Sequence, residues 1–288
     1  MARIDVDGLE IDYEFLGDDN APVVVLTPGG RYPRNTAGVP ELGAILAKAG
    51  YRVLLWDRPG CGASDIAFTA ESESVMNCEA LVGLVRELGL EDVNLVGGSA
   101  GSRISLMAAA RMPENVRRIV IWWISGGPVS LAGLAWFYCG DQIAAASKGG
   151  MEAVAALPSW ADQIARNPRV RDTLLAQDPW DYIDTMQTWG KAFAYSDESP
   201  VPGMTTADFA RLTMPVRVFR SGRSDMAHTL RTSEWVHELL PDSELVEPPW
   251  RDDEWNHVST FPNDIEARRG RFERWPLIAP MVLEFIEG

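Results

Sequence analysis

The chain has 288 residues, 46% hydrophobic and 23% charged, enough to bury one large α/β core or a core with an inserted subdomain. Its formal net charge of −15 argues against nucleic acid and anionic membrane surfaces as partners, and weighs mildly against strongly anionic substrates. Cys61, Cys78 and Cys139 lack paired spacing, and there are only 3 histidines, so neither a disulfide framework nor a metal site is expected.

Residues 3–16 alternate apolar and polar around Asp7-Gly8, which predicts an antiparallel hairpin. Val23-Val24-Val25-Leu26 is a short apolar strand ending in Thr27-Pro28-Gly29-Gly30. A helix over Val39 to Ala49 and a strand over Tyr51 to Trp56 follow, then the loop Asp57-Arg58-Pro59-Gly60-Cys61-Gly62-Ala63-Ser64. Glu71 to Leu88 has helical periodicity. Val93 to Val96 is a strand, Ser102 to Ala110 a buried helix, and Val116 to Ile124 a further strand. Strands alternating with helices predict a mostly parallel sheet with helices on both faces. The rhythm stops over 126–212, where aromatic-rich helical stretches are broken by Pro158, Pro168, Pro179, Pro200 and Pro202. This segment is expected to be a helical cap inserted into a core made of 1–125 and 213–288. The core resumes with a strand at Val216 to Phe219, a helix over Thr232 to Leu240, a strand over Glu244 to Glu247 and a last helix from Leu277 to Ile286.

The chemistry centres on Gly97-Gly98-Ser99-Ala100-Gly101, placed between a strand and a helix. Such a turn is too tight for side chains at its flanks and lifts the Ser99 hydroxyl above the sheet edge, the pattern of a nucleophile elbow. A serine hydroxyl needs a base to take its proton. His257, in the loop before the last helix, is expected as that base, with His228 as the fallback or a pocket residue and His237 structural. Asp225, after the penultimate core strand, is the expected acid. The backbone N–H groups of Gly30 and Ala100 are expected to form an oxyanion hole, with Gly29 allowing close approach. Arg31, Tyr32, Trp136, Tyr138, Trp189 and His228 are expected to line the substrate space. Asp57 is expected to accept from backbone donors. The glycine pairs lack the Lys-Ser/Thr and spacing of a phosphate cradle. No organic cofactor is expected either.

These residues resemble the α/β-hydrolase superfamily across nearly the whole chain. Within it, Asp57-Arg58-Pro59-Gly60-Cys61-Gly62-Ala63-Ser64, Gly97-Gly98-Ser99-Ala100-Gly101-Ser102 and Gly222-Arg223-Ser224-Asp225-Met226 are most similar to the prolyl iminopeptidase-like branch. The resemblance implies a helical cap and Ser-His-Asp chemistry on Ser99, His257 and Asp225. Departures from the branch are Pro28-Gly29-Gly30-Arg31-Tyr32 at the oxyanion loop and Ala100 after the serine. An aminopeptidase would also need cap carboxylates, for which Glu152, Asp197 and Glu198 are the candidates. The expectation is therefore a serine hydrolase acting on a bulky, largely apolar ester or lactone. Aminopeptidase activity, carbon–carbon bond hydrolysis and a non-catalytic ligand-binding role are the alternatives. Serine rather than aspartate at position 99 disfavours an epoxide hydrolase or haloalkane dehalogenase. The N-terminus has no apolar signal core, so a cytoplasmic protein is expected. Trp235 and the Trp250–Trp255 stretch are candidates for a homo-oligomer contact.

Overall fold

The computed structural model describes residues 2–255 and 270–288. Eight strands form one sheet in the order β1-β2-β4-β3-β5-β6-β7-β8. The strands are β1 (Ala2–Val6), β2 (Leu9–Leu16), β3 (Val23–Thr27), β4 (Arg52–Trp56), β5 (Val93–Gly98), β6 (Val116–Trp122), β7 (Val216–Phe219) and β8 (Ser243–Val246). β1 and β2 form the expected hairpin, and β2 runs antiparallel to β4. From β4 to β8 every pairing is parallel. Asp7 and Gly8 take positive φ at the hairpin turn, 50° and 87°.

The inner strands are nearly continuous apolar runs because both faces of the sheet are covered. Alternate side chains sort to opposite faces. Val25, Leu54, Leu95, Ile119 and Val218 pack on one side with α2 (Glu73–Glu87), α3 (Ala100–Arg111) and α10 (Leu230–Leu239). Val24, Val53, Val96, Val120 and Phe219 pack on the other with α1 (Val39–Lys48) and the last helix, α11 (Ala279–Glu287). Ser72 caps α2 by accepting from the Val75 N–H, one of the donors a helix start leaves unpaired.

Between β6 and β7 the described chain is helical: α4 (Pro128–Ala135), a π-helical turn (Trp136–Gly140), α5 (Asp141–Ala155), α6 (Pro158–Arg166), α7 (Arg169–Leu175), α8 (Pro179–Lys191) and α9 (Thr206–Ala210). Residues from Leu131 to Phe193 share a separate hydrophobic cluster with Ile66, Phe68 and Met76. Val201, Met204, Phe209 and Leu212 instead join the main core. The packing unit of these helices therefore closes near Phe193, before the core strands resume. Among the described residues, no helix is long and apolar enough to cross a membrane.

Parallel pairing sends the loops after β3, β4, β5, β6 and β7 out of the same sheet edge. That edge, beyond the carboxyl ends of the strands, is where open α/β sheets hold ligands.

Candidate active site

Ser99 follows β5 with φ 58° and ψ −120°, a strained conformation for a residue with a side chain. Its neighbours hold it there. The Ser99 N–H donates to the Trp122 carbonyl at 3.0 Å. A Cβ on Gly97 would sit 2.7 Å from the Gly101 backbone, and one on Gly101 would run into the Thr27 carbonyl oxygen. A Cβ on Gly29 would lie 2.9 Å from that of Ser99. Three glycines thus let β3, β5 and α3 close around one serine.

The Ser99 hydroxyl meets a histidine. Ser99 Oγ lies 2.9 Å from His228 Nε2, and His228 Nδ1 lies 3.1 Å from Asp225 Oδ2. The other carboxylate oxygen of Asp225 accepts from the N–H groups of Ala227 and His228, at 2.9 and 2.8 Å. An ionised carboxylate only accepts, so Nδ1 carries the proton and Nε2 presents its lone pair to Ser99. The ring is 2% exposed. It stacks with Trp123 at 5.9 Å and meets the edge of Trp255 at 4.4 Å. The three groups form one continuous relay.

His257, the residue expected here, lies outside the described residues. The position at Ser99 is held by His228, ranked second from the sequence. The available signal was the Asp225-x-x-His228 spacing: one carboxylate can cap its own turn and still reach the ring three residues on. His237 sits in α10, with Nδ1 2.8 Å from Ser243 Oγ.

Gly30 and Ala100 flank the serine. Ala100 opens α3, where a helix leaves its first N–H groups without internal partners. Gly30 has φ 48°. Arg58 Nη2 holds the loop from behind, donating to the carbonyls of Gly29 at 3.1 Å, Gly30 and Tyr32. Asp57 accepts from the N–H groups of Arg34 at 2.7 Å and Ala63 at 3.0 Å, as expected. Burial raises the Asp57 carboxyl above its ordinary value, although those same N–H groups oppose the rise.

Arg31 joins this loop to the helices between β6 and β7. Its guanidinium makes two bonds to Glu73, at 2.8 and 3.2 Å, and a third to the Tyr138 carbonyl at 3.4 Å. It also lies 4.8 Å from the Tyr138 ring centroid. Burial pulls its pKa down, but Glu73 more than reverses that, and the net shift is upward. The Tyr138 hydroxyl lies 3.7 Å from where a Gly30 Cβ would stand. Burial pushes this phenol up to about 12.

Two aromatic residues expected to line the substrate space pack elsewhere. Trp136 is 67% exposed, its ring lying beside Gly140. Trp189 is buried among the helices, where its indole N–H donates to the Ala70 carbonyl at 2.9 Å and its ring tilts on Phe68. Tyr32 packs edge-on against Phe272 at 5.1 Å. Residues not anticipated are Trp123 beside the histidine and Arg103 in α3. The signal for Arg103 was a charge inside the otherwise small and apolar stretch from Gly101 to Ala110.

The fold is that of the α/β hydrolases. A model described as the alpha/beta hydrolase fold matches residues 22–124. That match covers well under half of the chain.

Among curated proteins, a Pseudomonas putida 2-hydroxy-6-oxononadienedioate/2-hydroxy-6-oxononatrienedioate hydrolase is 35% identical over 113 residues, 39% of this chain and 40% of that protein. The Escherichia coli K12 protein of the same description is 32% identical over 123 residues, 43% of each chain. The matched stretch thus spans about two fifths of these relatives. Solved structures similar along the chain include the enol-lactonase of Burkholderia xenovorans LB400, with TM-score 0.65, 20% identity and full coverage of both chains. Another is the 2-hydroxy-6-oxo-6-phenylhexa-2,4-dienoate hydrolase of a Rhodococcus, with TM-score 0.63, 22% identity, and 99% and 98% coverage. These likenesses support the superfamily and its fold; they do not single out the prolyl iminopeptidase-like branch.

Proposed function

We propose that this protein is a cofactor-independent serine hydrolase that opens esters or lactones through an acyl-enzyme. The unbroken Ser99–His228–Asp225 hydrogen-bond relay carries the reading. His228 Nε2 takes the Ser99 proton as Oγ attacks the substrate carbonyl. Asp225 holds the tautomer and stabilises the imidazolium that forms. The Ala100 and Gly30 N–H groups receive the developing oxyanion. His228 then protonates the leaving oxygen, and a water deprotonated by the same ring releases the acid. In this reading His228 replaces His257 as base. Segment 126–212 is the lid, supported by Tyr138 above Gly30 and by the Arg31 bond to the Tyr138 carbonyl.

An aminopeptidase reading finds little support. Glu152 is exposed and paired with Arg171, and Asp197 and Glu198 are exposed. Carbon–carbon hydrolysis is the second reading, favoured by the names of the partial-length relatives. Three free, buried cysteines suit a reducing compartment such as the cytoplasm.

A fluorophosphonate probe tests the relay. Wild type and His257→Ala should label, while Ser99→Ala and His228→Ala should not. Labelling that survives His228→Ala but disappears in a folded His257→Ala would return the base to His257. Turnover of aryl esters against a vinylogous diketone then separates the two hydrolytic readings.

A further inference from the structure

Among the described residues, the Arg103 guanidinium near the serine has no ion-pair partner. Arg103 lies one turn into α3, its N–H directed at the Ser99 carbonyl at 3.4 Å. The residue is 5% exposed. Its Nε and Nη1 are buried and have no hydrogen-bond partner among the described residues. The guanidinium lies 5.2 Å from the Phe193 ring centroid, and Phe193 stacks on Tyr138 at 5.8 Å. Tyr138 in turn places its hydroxyl beside Gly30. Arg103 therefore reaches from the serine's helix to Phe193, whose neighbour Tyr138 borders the expected oxyanion loop.

The local charges do not balance. Arg31 is engaged by Glu73, and Arg58 donates to carbonyls. Arg103 is the third guanidinium, and Glu73 is the carboxylate whose charge it feels, together with the opposing charge of Arg58. Burial lowers its affinity for its proton, as expected for a charge taken from water without compensation. A buried charge left in this state is costly, and buried charges are normally paired. An anion would supply the missing partner.

We propose that Arg103 recognises a carboxylate on the substrate, so that the site takes acyl compounds bearing a free acid a few bonds from the reacting carbonyl. This rests on the reading of Ser99 as the reacting group. A monoanion fits better than a phosphate dianion: one planar fork against the Phe193 ring matches a carboxylate, and the overall charge of −15 repels a second negative charge. The acidic composition thus sets the far field, while Arg103 sets the near one.

The test compares 4-nitrophenyl butyrate with the mono-4-nitrophenyl ester of glutaric acid in wild type, R103M and R103Q. In parallel, calorimetry follows glutarate binding to S99A, S99A/R103M and S99A/R103Q. The kcat/KM ratio of acid to neutral ester should fall at least about thirtyfold in both Arg103 variants, chiefly through KM. Glutarate should bind S99A and be lost from both double variants. R103Q keeps size and polarity, so it carries the test where R103M fails to fold. Equal losses on both esters, or glutarate binding that survives either substitution, would overturn the proposal. Arg103-dependent glutarate binding in a protein whose Ser99 resists the fluorophosphonate would uphold Arg103 and sink the catalytic reading instead.

Discussion

The loop after β7 and the first turn of α3 face the same serine, yet they treat charge in opposite ways. In the β7 loop, both oxygens of Asp225 are engaged and both ring nitrogens of His228 have partners. In α3, the Arg103 guanidinium is buried with two nitrogens unpaired among the described residues. The first region is complete in the free protein, so no reorganisation is needed when the reaction starts. The second is incomplete, which is the condition for a ligand to supply the missing interaction. A fully paired Asp–His turn and an unpaired guanidinium therefore sit on neighbouring elements of one sheet edge.

The sharpest way to break this comparison is to remove the relay. Ser99→Ala or His228→Ala should lower kcat on a 4-nitrophenyl ester by roughly 10⁵–10⁶-fold, measured by burst and steady-state kinetics. Retention of most activity in His228→Ala would mean the observed contact is not the working one. Asp225→Asn keeps the shape and reverses the tautomer preference, so about 10⁴-fold should be lost. A loss under tenfold would show that the loop backbone alone orients the ring.

Smaller effects sharpen the comparison. Gly101→Ala pushes a methyl group into the Thr27 carbonyl, and thermal unfolding should show a destabilisation of about 1–3 kcal/mol. An unchanged Tm would mean that β3 and α3 can separate without cost. Tyr138→Phe should lower kcat about tenfold if the hydroxyl assists the oxyanion. Burial pushes that phenol up to about 12, so it stays protonated at pH 10, where an ordinary tyrosine would be half ionised. The pH–rate profile of wild type should accordingly show no limb near 10 that disappears in Tyr138→Phe. The smallest effect concerns the thiols. Burial raises Cys61 and Cys78 to about 11 and Cys139 to about 12, so iodoacetamide at pH 8 should leave native protein unmodified and fully active. Rapid alkylation would reveal opening of the helices between β6 and β7 or of α2.

Local pattern alone was enough for the sheet and its elbow. Apolar runs such as Val23–Leu26 and Val93–Val96 can be satisfied only between two covered faces. Gly97 and Gly101 around Ser99 mark a turn where any Cβ would meet backbone. Asp225 could be read from its place after the penultimate core strand. Tertiary structure decided what depends on distance between loops. The sequence places His228 and His257 in two different loops toward the C-terminal end of the core, and chain order permits either as base. It is the hydrogen bonding of the Asp225 turn that brings one imidazole to 2.9 Å from Ser99. Trp136 and Trp189 share the same composition signal, and only helix packing turns one to solvent and seals the other against Phe68. Arg103 has the propensity of an ordinary surface helix residue. Its environment was set when α3 was buried against the sheet and the helices after β6, because burial, not residue type, decides whether an arginine must find a partner.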